Sequence, residues 1–233
     1  MMRRTPKLTL EFFHDVVCGW CFNLSPRLHA LAREFHLDIR HRTFVLQDSP
    51  ERMVESFCSH ANAKATILGH WEACAAASET PERFAIERMR AARFNYPDGR
   101  PSALACQVAQ QLGGQSGHWR MFDALQQAHL SQARNIADKE VLLDVAQSVG
   151  FDLTTFRQSL EGVHTHKAVE ADRALAQRLG VRSVPTVIVR ETGERLHNGS
   201  LEDLRAHLHE QARRVGRSLA CGIAHVPAAE MQP

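Results

Sequence analysis

The chain has 233 residues, 44% of them apolar and 23% charged, with a formal net charge of +2. Those proportions describe a globular chain, long enough for one large domain or for a small domain carrying a sizeable insertion. Lys and Arg are scattered among Asp and Glu, which argues against a nucleic-acid stripe or a polybasic membrane patch, and no apolar run approaches the roughly 20 residues that cross a bilayer.

Met1 to Lys7 is basic like the start of a secretion signal, but Leu8 to Phe13 is too short for its apolar segment and contains Glu11. A cytoplasmic protein is expected. Apolar residues alternate from 7 to 13, predicting a first strand. A helix follows from Gly19 to Phe35, with Leu24, Leu28, Leu31 and Phe35 on one face and Pro26 inside it to bend it. Leu37 to Phe44 alternates again, so the start reads as a parallel strand–helix–strand unit.

From Pro50 to about Gly180 only helical periodicity remains. Thr80-Pro81 reads as a capped helix start. Pro97 to Pro101 reads as a turn feeding a helix through Leu112. Asp138 and Asp152 read as caps of two further helices. Strand signals return at Val184-Pro185-Thr186-Val-Ile-Val189, followed by a turn at Gly193, a short strand near Arg195 and a last helix opened by Ser200 to Asp203. The fold class is therefore α/β, with residues 1–48 and 181–219 forming one sheet-containing unit. Residues 49–180 form a helical insertion and 220–233 a loose tail.

The chemistry centres on Asp15-Val-Val-Cys18-Gly-Trp-Cys21-Phe22, where the first strand runs into the first helix. Partial positive charge at a helix N-terminus favours a thiolate at Cys18, and Cys21, one turn on, can attack whatever bonds to it. Half of a zinc site looks the same, but no second ligand pair of the usual spacing follows. The other four cysteines, Cys58, Cys74, Cys106 and Cys221, suggest no secreted disulfide framework. The first three read as small core residues on helices.

With the late Val184-Pro185-Thr186, the helical insertion and the Cys18-Gly-Trp-Cys21 junction, the chain resembles the DsbA family of the thioredoxin-like fold, and within it the cytoplasmic FrnE-like branch. The resemblance implies a protein disulfide oxidoreductase in which Cys18 attacks and Cys21 resolves. It also implies a cis Val184–Pro185 bond, with the Val184 main chain aligning an extended substrate. Trp20 is expected beside the substrate, and Glu11, the carboxylate of the first strand, to carry the proton of the resolving thiol. Asp15 is its competitor for that role. His14, if cationic, would further favour a Cys18 thiolate.

Partners are expected to be protein or small-molecule thiols and disulfides, with no nucleic acid and no membrane. No cofactor is expected beyond the cysteine pair, with glutathione as a candidate electron partner, and no metal. His164 and His166, like His207 and His209, are two apart, which turns helical side chains away from a shared ion. The alternative is a glutathione-dependent isomerase or transferase of the 2-hydroxychromene-2-carboxylate isomerase or kappa-class type, but those sites resemble this one without its second cysteine. A binding module with a vestigial cysteine pair is the non-enzymatic alternative.

Overall fold

The structure, a computed structural model, describes residues 8–216 and residue 219. Cys221 and the expected tail lie outside the described residues. Strand β1 (Leu8–His14) leads through a short loop into α1 (Gly19–Glu34), and β2 (Leu37–Thr43) follows. Helices α2 (Pro50–Phe57), α3 (His60–Ala76), α4 (Ile86–Ala91), α5 (Arg100–Gln126), α6 (Lys139–Ser148), α7 (Leu153–Leu160) and α8 (Val163–Arg178) come next. The chain then returns through β3 (Thr186–Val189) and β4 (Arg195–Leu196) to α9 (Leu201–Arg214). The α/β pattern thus stands at both ends of a helical middle.

The sheet order is β2-β1-β3-β4, with β1 parallel to β2 and antiparallel to β3. Alternation along β1 sends Leu8, Leu10 and Phe12 to one face, where they cluster with Val187 and Val189 of β3, Leu24, Leu28 and Leu31 of α1, and Leu204 and Leu208 of α9. Each large side chain fully buried there contributes about 2–3 kcal/mol. Phe13 goes to the other face and packs with Ile188, Ala176 and Val181.

Helix α5 closes the β2 edge, where an unpaired strand would otherwise face solvent. The His41 backbone N–H donates to Gln115 Oε1 at 2.7 Å, and Gln107 Nε2 donates to Thr43 Oγ1 at 2.6 Å. The helix signal that stops near Leu112 reflects a real break. At Gly114 the backbone turns to φ 62°, ψ −159°, and helical geometry then resumes to Gln126. Left-handed backbone there suits glycine.

Two expected features differ. Thr80 makes no capping bond, and Pro81–Arg83 is only a 3₁₀ turn, because two residues after it the chain is drawn to α5's end by the Ala85 N–H to Leu130 carbonyl bond. Cys58 is no core residue: it is exposed and ends α2 in left-handed conformation, at φ 68°. Ser200 and Asp203 form the expected reciprocal cap of α9. A second core, built from Met53, Leu68, Trp71, Phe84, Met89 and Tyr96, packs on Phe22 of α1. The helical middle therefore rests directly on the first helix.

Candidate active site

Residues 15–18 form the turn between β1 and α1, closed by the Cys18 N–H to the Asp15 carbonyl at 3.2 Å. Cys18 is the N-cap of α1: its Sγ accepts the Cys21 backbone N–H at 3.4 Å, a donor otherwise left unpaired at a helix start. The Cys18 thiol also points to the Val184 carbonyl oxygen, 3.5 Å away, and the Val184–Pro185 peptide is cis. Three residues the sequence singled out therefore meet at one point. Cys18 and Cys21 are close but not bonded to each other, and Cys21 is fully buried.

The helical middle holds this turn from above. Tyr96 Oη lies 3.2 Å from the Val17 carbonyl and takes the Trp71 Nε1–H at 3.1 Å, while Gln126 Nε2 donates to the Val16 and Cys18 carbonyls. Asn23 Nδ2 donates to the Cys74 carbonyl at 2.8 Å. A cavity of about 270 Å³ opens beside the thiol, lined by Cys18, Trp20, Phe57, Trp71, Tyr96 and Val184. Trp20 stands at its rim, 38% exposed. A larger cleft, about 580 Å³, lies along α1 between Ser25, His29, Arg83 and Asp123 and contains neither cysteine. Cavity size and chemistry part company here, and the smaller space is the one facing a nucleophile.

Cys74 of α3 is a third thiol against the pair. A side chain on Gly19 would bring a Cβ within 2.9 Å of its Sγ, so the first residue of α1 is in close contact with it. Burial, and then the charge of Cys18, pushes the Cys74 thiol up to about 12. Nothing in the residue spacing linked Cys74 to this site.

The carboxylates are arranged differently from expectation. Glu11 is 4% exposed, but it belongs to the sheet face opposite the Cys21 cluster, and its oxygens lie 2.6 Å from Arg42 Nε and 3.2 Å from Arg190 Nε. Paired with two arginines across the sheet from the thiols, it is not placed to carry the Cys21 proton. Asp15 lies in the turn that leads to Cys18. It is 2% exposed, its Oδ2 accepts the Leu46 N–H at 2.8 Å and its Oδ1 the Val17 N–H at 3.3 Å. Burial, opposed by those backbone donors, raises its acid to about 7. Burial also pushes the Cys21 thiol well up, helped by the neighbouring Cys18 sulfur and, to a smaller degree, by the Asp15 charge.

His14 does not meet the condition for favouring a Cys18 thiolate. It is 1% exposed, and burial, with His118 beside it, holds it well below the ordinary imidazole range, so it is neutral. Burial does the same to His41 and lowers His118 to about 3.

A family model described as DSBA-like thioredoxin domain matches residues 9–209. Among solved structures, the cytosolic disulfide reductase DsbM from Pseudomonas aeruginosa aligns over 89% of this chain and 100% of its own, at 26% identity and a TM-score of 0.71. DsbM with GSH aligns with a TM-score of 0.67 at 25% identity, over 88% of this chain and 100% of its own. A 2-hydroxychromene-2-carboxylate isomerase shares the fold at a TM-score of 0.61 and 15% identity, over 89% of this chain and 98% of its own. Among curated proteins, the ClpXP adapter protein SpxH of Shouchella clausii is 26% identical over 78% of this chain. The chain spans 57% of that relative's length and 58% of its Bacillus subtilis counterpart.

Proposed function

Because the chain belongs to the DSBA-like thioredoxin domain family, we propose that it is a thiol–disulfide oxidoreductase acting on protein or small-molecule disulfides through Cys18 and Cys21. One observation carries the reading: the Cys18 sulfur caps α1, lies 3.5 Å from the Val184 carbonyl and faces an open cavity.

In the reductive direction, the Cys18 thiolate attacks a substrate disulfide. The sulfur–sulfur bond of the substrate breaks, and one substrate thiolate leaves and takes up a proton. Cys21 gives its proton to Asp15 and attacks Cys18 Sγ. The mixed disulfide breaks, the second substrate thiol departs, and the Cys18–Cys21 disulfide holds the two-electron deficit. Two thiols of the glutathione type return the electrons: the first opens the Cys18–Cys21 disulfide by bonding to Cys18, the second releases it, and the two leave as their own disulfide. Val184 offers its main chain to the substrate, and Trp20 covers it from the rim. In this reading the protein works in the cytoplasm, the compartment named for the DsbM it resembles.

The isomerase alternative draws on likeness of fold alone, and the buried Cys21 against Cys18 favours exchange over it. Reduction of a glutathionylated peptide tests the proposal. Cys18→Ser should abolish turnover, and Cys21→Ser should accumulate the Cys18 mixed disulfide, visible as an added mass. Equal turnover by wild type and Cys18→Ser would overturn it.

A further inference from the structure

Three histidines that the sequence leaves far apart meet in the core where β1, β2 and α5 join. His14 and His41 are 27 residues apart, and His14 and His118 are 104 apart, so no local spacing signals them. His14 Nε2 lies 3.2 Å from His41 Nδ1 and 3.1 Å from His118 Nε2. One nitrogen from each ring falls within 4.8 Å of the others. The three ring centroids form a triangle with every side 5.1 Å.

Hydrogen bonding alone leaves this arrangement short of protons. His118 Nδ1 faces the Gln110 side-chain Oε1 at 2.7 Å and carries a proton for it, so the neutral ring turns a lone pair at Nε2 toward His14. A single proton on His14 Nε2 must then serve both neighbours. If His41 Nδ1 carries one instead, two lone pairs oppose each other at 3.1 Å. Either way one of the two contacts lacks a proton of its own.

We propose that His14, His41 and His118 bind a zinc ion through these converging nitrogens. Zinc–nitrogen bonds of about 2.0–2.1 Å place the nitrogens of a tetrahedral site about 3.3 Å apart and the ring centroids about 5 Å apart. The two nitrogen contacts and the centroid triangle already match that geometry. Three neutral imidazoles leave a fourth position open and suit zinc among the common divalent ions. The Gln110 contact is the kind of outer partner that fixes the orientation of a ligating ring. His14 Nδ1 and His41 Nε2 have no protein partner among the described residues whether or not the ion is there, so they favour neither state.

Phe12, Phe122 and Trp119 surround the rings. Phe122 lies 3.9 Å from His14 and Trp119 lies 5.0 Å from His41, centroid to centroid. That apolar shell leaves the ion's attraction to its ligands little screened. The ion would staple the insertion, through α5, to both parallel strands of the sheet immediately before Asp15 and the thiol turn. Bound there, it would stabilise the fold by an amount that grows with zinc concentration.

The test uses full-length protein carrying Cys18→Ser, Cys21→Ser and Cys58→Ser, so that neither the paired thiols beside the cavity nor the exposed one takes the metal. After chelator treatment and dialysis, it is titrated with zinc chloride alone. One equivalent bound by elemental analysis and a rise in Tm are expected. Cobalt(II) in zinc's place should give tetrahedral visible bands without thiolate charge transfer. His118→Gln should lose the equivalent and the Tm rise. No binding, or binding undiminished in folded His118→Gln, would overturn the proposal. If that variant does not fold, the imidazole nitrogen resonances of the triple-serine protein decide: three buried rings should shift on adding zinc, and unshifted rings would refute the site.

Discussion

The carboxylate of Asp15 occupies the space that Gly99 leaves by having no side chain: a Cβ at Gly99 would lie 2.6 Å from Oδ2 and 2.7 Å from Oδ1. Gly99 belongs to the turn that opens α5, and its N–H is tied to the Gln47 carbonyl at 2.9 Å. Asp15 is tied in turn by the backbone of Leu46 and Val17, so neither group can yield freely. Gly99→Ala should therefore destabilise the protein by about 1–3 kcal/mol, the usual cost of overpacking. Chemical denaturation would measure it, and exchange activity should fall with it because the displaced group stands beside the thiols.

Asp15→Asn removes the group proposed to take the Cys21 proton while keeping its shape. Resolution of a preformed Cys18 mixed disulfide at neutral pH should slow roughly hundred-fold, the lower end of the range for a positioned acid or base. Glu11→Gln, across the sheet, should leave that rate nearly unchanged. Stopped-flow release of the substrate thiol reports both variants, and a slow Glu11→Gln with a fast Asp15→Asn would reverse the assignment.

Arg42 bridges two buried acids, Glu11 at 2.6 Å and Asp172 at 3.2 Å. Burial is the main influence on Asp172 and raises it, while Arg42 is among the groups that draw it back down. Arg42→Ala leaves Glu11 with only Arg190, and Asp172 with only the Thr43 N–H and the Gln107 amide, and should cost about 3 kcal/mol. Arg190 pairs with Glu11 from a half-exposed position, so Arg190→Ala should cost less than about 1 kcal/mol. Comparable losses in urea unfolding would contradict the burial argument.

His129 sits fully buried under the thiol turn, 3.0 Å from Tyr96 Oη, and burial lowers it to about 4 against a smaller opposing pull from the Arg134 carbonyl. The unfolded chain takes up this proton near pH 6.5 and the folded one only near 4. The His129 contribution is thus intact above pH 6.5 and is lost as the pH falls toward 4, amounting to about 3 kcal/mol. His129→Gln should flatten the fall in denaturation midpoint between pH 6.5 and 4.5 relative to wild type. An unchanged slope would mean that this ring does not govern acid sensitivity.

Local signals made much of the molecule legible. Alternation in Leu8 to Phe13, the helical stretch after Gly19, the Ser200–Asp203 cap and the Cys18/Cys21 pair each depend on neighbours a few residues away, and each is read from spacing. Pro185 was linked to Cys18 through family likeness, since 166 residues separate Cys18 from Val184. Glu11 enters as a proton carrier only through family likeness, and its pairing with Arg42 and Arg190 is set by how separate strands come together.

By itself, then, the sequence determined the elements, their order and the thiol pair, because periodicity, caps and the Cys18-Gly-Trp-Cys21 motif act over single turns of chain. Only the tertiary structure decided that Glu11 pairs with Arg42 and Arg190, that Cys74 and Tyr96 wall the cavity, and that His14, His41 and His118 converge. Those relationships join side chains from separate elements, and their distances follow from how helices close over the sheet, which no local pattern encodes.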